Sequence, residues 1–386
     1  MGHGVSLATP PDGHGGRRRP RRVWRGVVGA GAVVAVAVIV ATFVQIPYYA
    51  LAPGSAIDVA RMISLPRAQR HATAGAIYMT DVDLIPLRAI DYLFYRFDSD
   101  VAILPDAAVT GTSTTAQYDA QGAIDMANAR QAATVVALST LGYPVRALPA
   151  GVILYSLLPG SPAASHLSVG DVVQAVDGHP TASLTALSGA LAPLSPGARV
   201  TLRLSGFPGT GVPGAPRATR LRLGETRVVA GEPTCLPAGT RRGSAPPAGT
   251  IRACLGAIVE PRYRTVGLPF PVAIDSEGII GPSAGLAFTL GLLDELDRSE
   301  LSAGRRVAAT GTMAVDGSVG QVGGVAQKAV AAREAGASLF LVPTGEYEAA
   351  KAHAGSMRVV AVSSLTQAVA ALERLGGKLP ARGPTP

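Results

Sequence analysis

Gly281-Pro282-Ser283-Ala284-Gly285 stands just ahead of the apolar run 286–296, and its reading decides the last third of the chain. Proline is pre-organised for the first position of a helix. The spacing therefore predicts a helix opening at Pro282, with Gly281 as its cap and Ser283 in the first turn. N–H groups of a first turn lack intrahelical partners and lie at the positive end of the helix dipole. A hydroxyl placed there has donors for an oxyanion beside it. Leu286, Phe288, Leu290, Leu292 and Leu293 make the following helix apolar nearly all round, which predicts burial. Taken alone, the motif reads equally as a helix-start serine beside glycines.

A nucleophilic serine needs a base. Histidine is the usual one, and the chain beyond residue 50 carries His71, His166, His179 and His353. Lys328 is the other candidate. It lies in Gly323-Gly324-Val325-Ala326-Gln327-Lys328-Ala329-Val330-Ala331-Ala332, a helix opened by two glycines. Its neighbours one turn away, Gly324, Val325, Ala331 and Ala332, are small and uncharged. Burial on such a face lowers a lysine pKa toward the range a general base needs. The alternative is a stem lying along the surface with its ammonium in water. Lys351 has Glu348 one turn away and reads as solvated, and Lys378 lies in a Gly-rich tail.

Together, Gly281-Pro282-Ser283-Ala284-Gly285, Thr310-Gly311 and Gly323-Gly324-Val325-Ala326-Gln327-Lys328 resemble the proteolytic domain of Lon proteases in order and spacing, including 18 residues from the threonine to the lysine. The resemblance implies an α+β fold, Ser283 as nucleophile, Lys328 as its base and Thr310 as the group that orients the lysine. Relatives form rings, which implies a homo-oligomer. Many members carry an acid just before the serine motif, where this chain has Ile279-Ile280; Asp275 and Glu277 are near and take no assigned role. No Gly-x-x-x-x-Gly-Lys-Ser/Thr phosphate loop is present, so ATP is not expected as a partner, and neither a cofactor nor a metal is.

Upstream, residues 148–229 have a different texture. A strand at 151–155 precedes Pro159-Gly160-Ser161-Pro162-Ala163, and Gly170-Asp171-Val172-Val173 leads to a tight turn at Asp177-Gly178. A helix at 184–191 and strands at 200–204 and 218–223 complete the unit. These motifs resemble a circularly permuted PDZ domain. The resemblance implies that Ala150, Gly151, Val152 and Ile153 receive a peptide terminus and pair with it as an added strand.

Charge and hydropathy describe the remainder. Of 34 basic residues only three are lysine, and the net charge is +8. Residues 1–25 hold six Arg against one Asp, hence +5, and the other 361 residues carry only +3. So localised a charge argues against nucleic acid as a partner. Residues 26–47 carry no charge, and about 20 apolar residues match a hydrocarbon core of about 30 Å. With the arginines on one side and Trp24, Tyr48 and Tyr49 at the ends, a transmembrane helix is expected, its N-terminus cytoplasmic and the catalytic part extracytoplasmic. Cys235 and Cys254 would then form a disulfide, two free thiols being the alternative.

The expected organisation is α+β: a cytoplasmic tail at 1–25, a membrane helix at 26–47, a mixed region at 48–147, a PDZ-like domain at 148–229, a Pro/Gly linker at 230–250, a Lon-type domain at 251–377 and a tail at 378–386. The whole resembles membrane-anchored, PDZ-containing Lon-like proteases of Gram-positive bacteria, acting on protein or peptide substrates. Two rival readings differ in class. One is a PDZ adaptor with an inactive protease fold. The other is an α/β-hydrolase esterase, reading the motif as Gly-x-Ser-x-Gly with His353 as its histidine.

Overall fold

The computed structural model describes residues 21–229, 232–239, 251–276, 278–298 and 300–379. The chain opens with α1 (Arg21–Phe43), β1 (Gln45–Asp58), β2 (Ala76–Arg88), β3 (Ala102–Pro105) and the long α2 (Thr115–Thr140). A β-rich stretch follows: β4 (Arg146–Leu157), β5 (Asp171–Val176), α3 (Leu184–Leu191), β6 (Arg199–Gly206), β7 (Arg217–Arg222) and β8 (Ala257–Val266). The last part contains α4 (Gly285–Leu296), β9 (Arg306–Ala309), α5 (Val325–Glu334), β10 (Leu339–Pro343), α6 (Tyr347–His353), β11 (Arg358–Val362) and α7 (Leu365–Glu373).

Two six-stranded sheets organise these elements. The first has the order β11-β10-β9-β2-β1-β3. Its β9, β10 and β11 are parallel, β9 also runs parallel to β2, and β1 is antiparallel to both β2 and β3. Strands from the start of the chain and from its end therefore share one sheet. One face carries α4 in a core of Phe288, Leu290, Leu292, Leu341 and Met79, and the other carries α5 and α6 around Phe340, Val342, Ala329 and Ala350. The second sheet is antiparallel, in the order β8-β4-β5-β6-β7, with the two-residue strand His179–Pro180 beside β5. Its own core holds Val152, Leu154, Leu187, Leu202 and Leu204.

Helix α2 joins the two halves. Thr114 caps it, taking the Gln117 N–H while the Gln117 side chain takes the Thr114 N–H. Its Ala120 and Ile124 pack on Ile153, Val172 and Phe207 of the β-rich unit. Farther along, Ala133, Val136 and Ala137 enter the core beneath α4. The small residues allow close approach: at Gly122 an added Cβ would stand 2.7 Å from Ile280 Cδ1.

Several local expectations hold. Asp177 and Gly178 both adopt positive φ in a two-residue hairpin between Val176 and His179. Cys235 and Cys254 are disulfide-bonded. The mixed α+β character holds as well. The membrane helix expected at 26–47 does not. Helix α1 ends at Phe43, and Gln45, Ile46 and Pro47 already belong to β1. Proline lacks the N–H that continued helix requires. Among the described residues no helix is long and apolar enough to cross a membrane. The tail at 1–20, most of the linker at 230–250 and residues 380–386 lie outside the described residues.

Candidate active site

The chain reaches Ser283 over Gly281, whose φ of +95° is a glycine conformation, and the Gly281 N–H donates to the Gly122 carbonyl at 2.8 Å. The expected helix start shifts here. Helix α4 begins at Gly285 with Ala284 as its cap, so Ser283 precedes the first turn. A helix opening at Pro282 would send the Leu286 N–H to the Pro282 carbonyl. The Gly311 carbonyl takes it instead, at 3.1 Å, and the Pro282 carbonyl receives the Gly285 N–H. In return, the Gly311 N–H donates to the Ser283 carbonyl at 2.9 Å. This close exchange needs Gly285: a Cβ there would lie 2.8 Å from the Met313 nitrogen. Among the described residues no acceptor takes the Ser283 or Ala284 N–H, which leaves both for a ligand.

Thr310 directly follows β9 and is fully buried. Its hydroxyl donates to the Ser283 carbonyl at 3.3 Å and accepts from Lys328 Nζ at 3.4 Å. Lys328 lies in the first turns of α5, which opens after Gly324 in the left-handed conformation. At that glycine a Cβ would meet Val82 Cγ1 at 2.9 Å, so the helix start sits tightly against β2. The lysine is 3% exposed. Burial lowers its pKa from 10.5 to about 8, partly opposed by the Asp81 and Glu346 carboxylates.

Ser283 and Lys328 open on one cavity of about 510 Å³, walled also by Tyr49, Met79, Thr80, Asp81, Ile279 and Ile280. Thr80 Oγ1 is buried and has no hydrogen-bond partner among the described residues, so it is available to a group entering the cavity. The half-buried Asp81 has its pKa raised, chiefly by burial, against the lowering effect of the Ser55 N–H bonded to its carboxylate.

The structure thus brings Ser283, Thr310 and Lys328 together and sends other candidates elsewhere. Lys351 and Lys378 are exposed, Lys351 lying over the Tyr347 ring. His353 faces Asp100, 3.5 Å away, and is not in the cavity wall, which removes the histidine on which the esterase reading depended. Asp275 is exposed, and Glu277 lies outside the described residues. Asp81 went unnoticed in the sequence because it is far from the serine along the chain; an acid among Tyr78, Met79, Thr80 and Val82 was the one available signal.

Residues 275–371 match the Lon protease (S16) C-terminal proteolytic domain. No curated protein matches the chain. The Lon-type segment contains Ser283, Thr310 and Lys328, whereas Tyr49, Thr80 and Asp81 reach the cavity from strands well before it.

Ala150, Gly151, Val152 and Ile153, expected to receive a peptide, lie in β4 and are not in the cavity wall. Both edges of β4 are in use. Val152 and Ile153 face Val173 and Val172 of β5 on one side, and Gly151 to Ile153 face Arg262 to Glu260 of β8 on the other. The Gly151 N–H donates to the Ala182 carbonyl at 3.0 Å. Strand addition by a peptide is therefore closed at this edge, because β8 already holds the position.

Proposed function

We propose that this protein is a serine peptidase in which Ser283 is the nucleophile and Lys328 its general base. The match to a Lon proteolytic domain supports serine-type proteolysis of protein substrates. The observation that carries the residue roles is the buried Lys328, bonded through Thr310 Oγ1 to the backbone of Ser283 at the mouth of one cavity. A lysine with a pKa near 8 is neutral often enough in mildly alkaline solution to accept a proton.

The reaction follows from these positions. Neutral Lys328 takes the Ser283 hydroxyl proton as Oγ attacks the peptide carbonyl. The Ser283 and Ala284 N–H groups receive the developing oxyanion. On collapse the C–N bond breaks and Lys328 returns the proton to the leaving amine. Water, deprotonated by the again neutral lysine, then hydrolyses the acyl-serine. Thr310 fixes the lysine's direction throughout. The Cys235–Cys254 disulfide supports action in an oxidising, extracytoplasmic compartment.

The test is digestion of fluorescently labelled casein at pH 9 by wild-type protein, Ser283→Ala and Lys328→Met. Hydrolysis confined to the wild type is the expected result. Equal hydrolysis by either variant would overturn the assignment.

A further inference from the structure

We propose that Asp81 is the positioning acid of this site, a carboxylate held on β2 by a bulge in β1 so that it faces Lys328 across the cavity. The proposal deepens the peptidase reading and rests on Lys328 being the base.

The geometry begins with register. Pro53 pairs with Val82, but Ala56 pairs with Thr80, so β1 spends one residue more than β2 opposite Asp81. Such a bulge bends the strand and re-aims side chains. Here it turns the Ser55 N–H onto Asp81 Oδ1. Gly54 makes the approach feasible, since a Cβ at that residue would stand 2.3 Å from the same oxygen. The carboxylate is thus fixed by main chain and cannot swing away as a free side chain would. It lines the wall that Ser283 and Lys328 also line.

Other groups face Lys328 without this combination. Asp83 and Asp119 lie on the cavity rim and are exposed, where solvent screens them. Burial raises the pKa of Tyr118, which favours its uncharged form. Glu346 approaches from outside the cavity wall, and its Oε1 is occupied by the Val322 N–H at 3.1 Å. Asp81 is the acid that is both half-buried and inside the site. Its role is to favour the lysinium formed when Ser283 gives up its proton, holding Lys328 toward the cavity.

The chain's three lysines make a direct test practical. Full-length protein labelled with 13C at lysine Cε is titrated by NMR, with Lys328→Arg used to assign the Lys328 signal. Wild type, Asp81→Asn and Asp83→Asn are compared, and kcat/KM for a peptide substrate is followed over the same pH range. Asparagine keeps an acceptor for the Ser55 N–H, so the bulge is retained and only the charge is lost. The expected result is a fall of the Lys328 midpoint by about half a pH unit or more in Asp81→Asn, a matching shift of the acidic limb of kcat/KM to lower pH, and no shift in Asp83→Asn. An unchanged midpoint in folded Asp81→Asn, or an equal shift in Asp83→Asn, overturns the proposal. A shifted midpoint in a protein that cleaves no substrate upholds the pairing of Asp81 with Lys328 while defeating the peptidase reading.

Discussion

Replacing Lys328 by methionine tests the energetic cost of the site without any assay of activity. In the unfolded chain the lysine has its ordinary pKa of 10.5, and in the fold burial lowers it to about 8. The sign follows from proton counting. Between pH 8 and 10.5 the unfolded chain binds the extra proton and the folded protein does not, so stability rises with pH in that window. Below pH 8 both states are protonated and the fold bears the whole cost of a buried ammonium. The depression of roughly 2.5 units corresponds to about 3 kcal/mol. Methionine has nearly the same shape and no charge. The stability difference between Lys328→Met and wild type should therefore favour methionine most below pH 8, and shrink by about 3 kcal/mol as pH rises to 10.5. Loss of the Lys328–Thr310 hydrogen bond offsets a part near 1 kcal/mol at every pH. Urea unfolding of both proteins at several pH values between 7 and 10.5 measures this difference, and titrations common to both cancel. Parallel stability curves would refute the reasoning, because they would mean that the ammonium keeps its water in the folded state.

Three further outcomes are expected. With the base titrating near pH 8, about one lysine in eleven is neutral at pH 7 and ten in eleven at pH 9, so kcat/KM for an uncharged peptide should rise about tenfold over that interval. Gly285→Ala should lower Tm and peptidase activity together, costing about 1–3 kcal/mol in denaturant unfolding, because its Cβ would be driven against the Met313 backbone. Reducing the Cys235–Cys254 bond, which closes a loop of sequence separation 19, should cost the β-rich unit about 3 kcal/mol while leaving the Lys328 NMR titration unchanged.

The parts of this protein that were legible in its sequence are those set by local chemistry. The Asp177-Gly178 hairpin follows from two residues that tolerate positive φ. Gly324 before α5, and small residues around Lys328, announced a lysine that could be buried. Other features depend on partners distant in the chain. The start of α4 moved because the Gly311 carbonyl takes the Leu286 N–H, an interaction invisible in the serine motif itself. The apolar run at 26–47 matched a membrane span in composition, but its Gln45 already pairs in β1 with Arg88, which periodicity could not reveal. A strand-like stretch at 151–155 looked like an open edge for a peptide, and β8, about 100 residues later, fills it. Asp81 was hidden for the same reason, since a bulge one strand away gives it its direction.

The first sheet has a consequence for how this protein comes into being. Its central strand β2 is made early in synthesis, whereas its neighbour β9, with Thr310 directly after it, and the helix bearing Lys328 come more than 200 residues later. The β-rich unit between them can close on itself from nearby hairpins, but the sheet that carries the site must wait for both ends. A chain interrupted before α5 therefore holds Asp81 with no Lys328 to face, and a nick that released the first two strands would take Tyr49, Thr80 and Asp81 out of the cavity wall. The cavity is a property that only the joined ends of the chain possess.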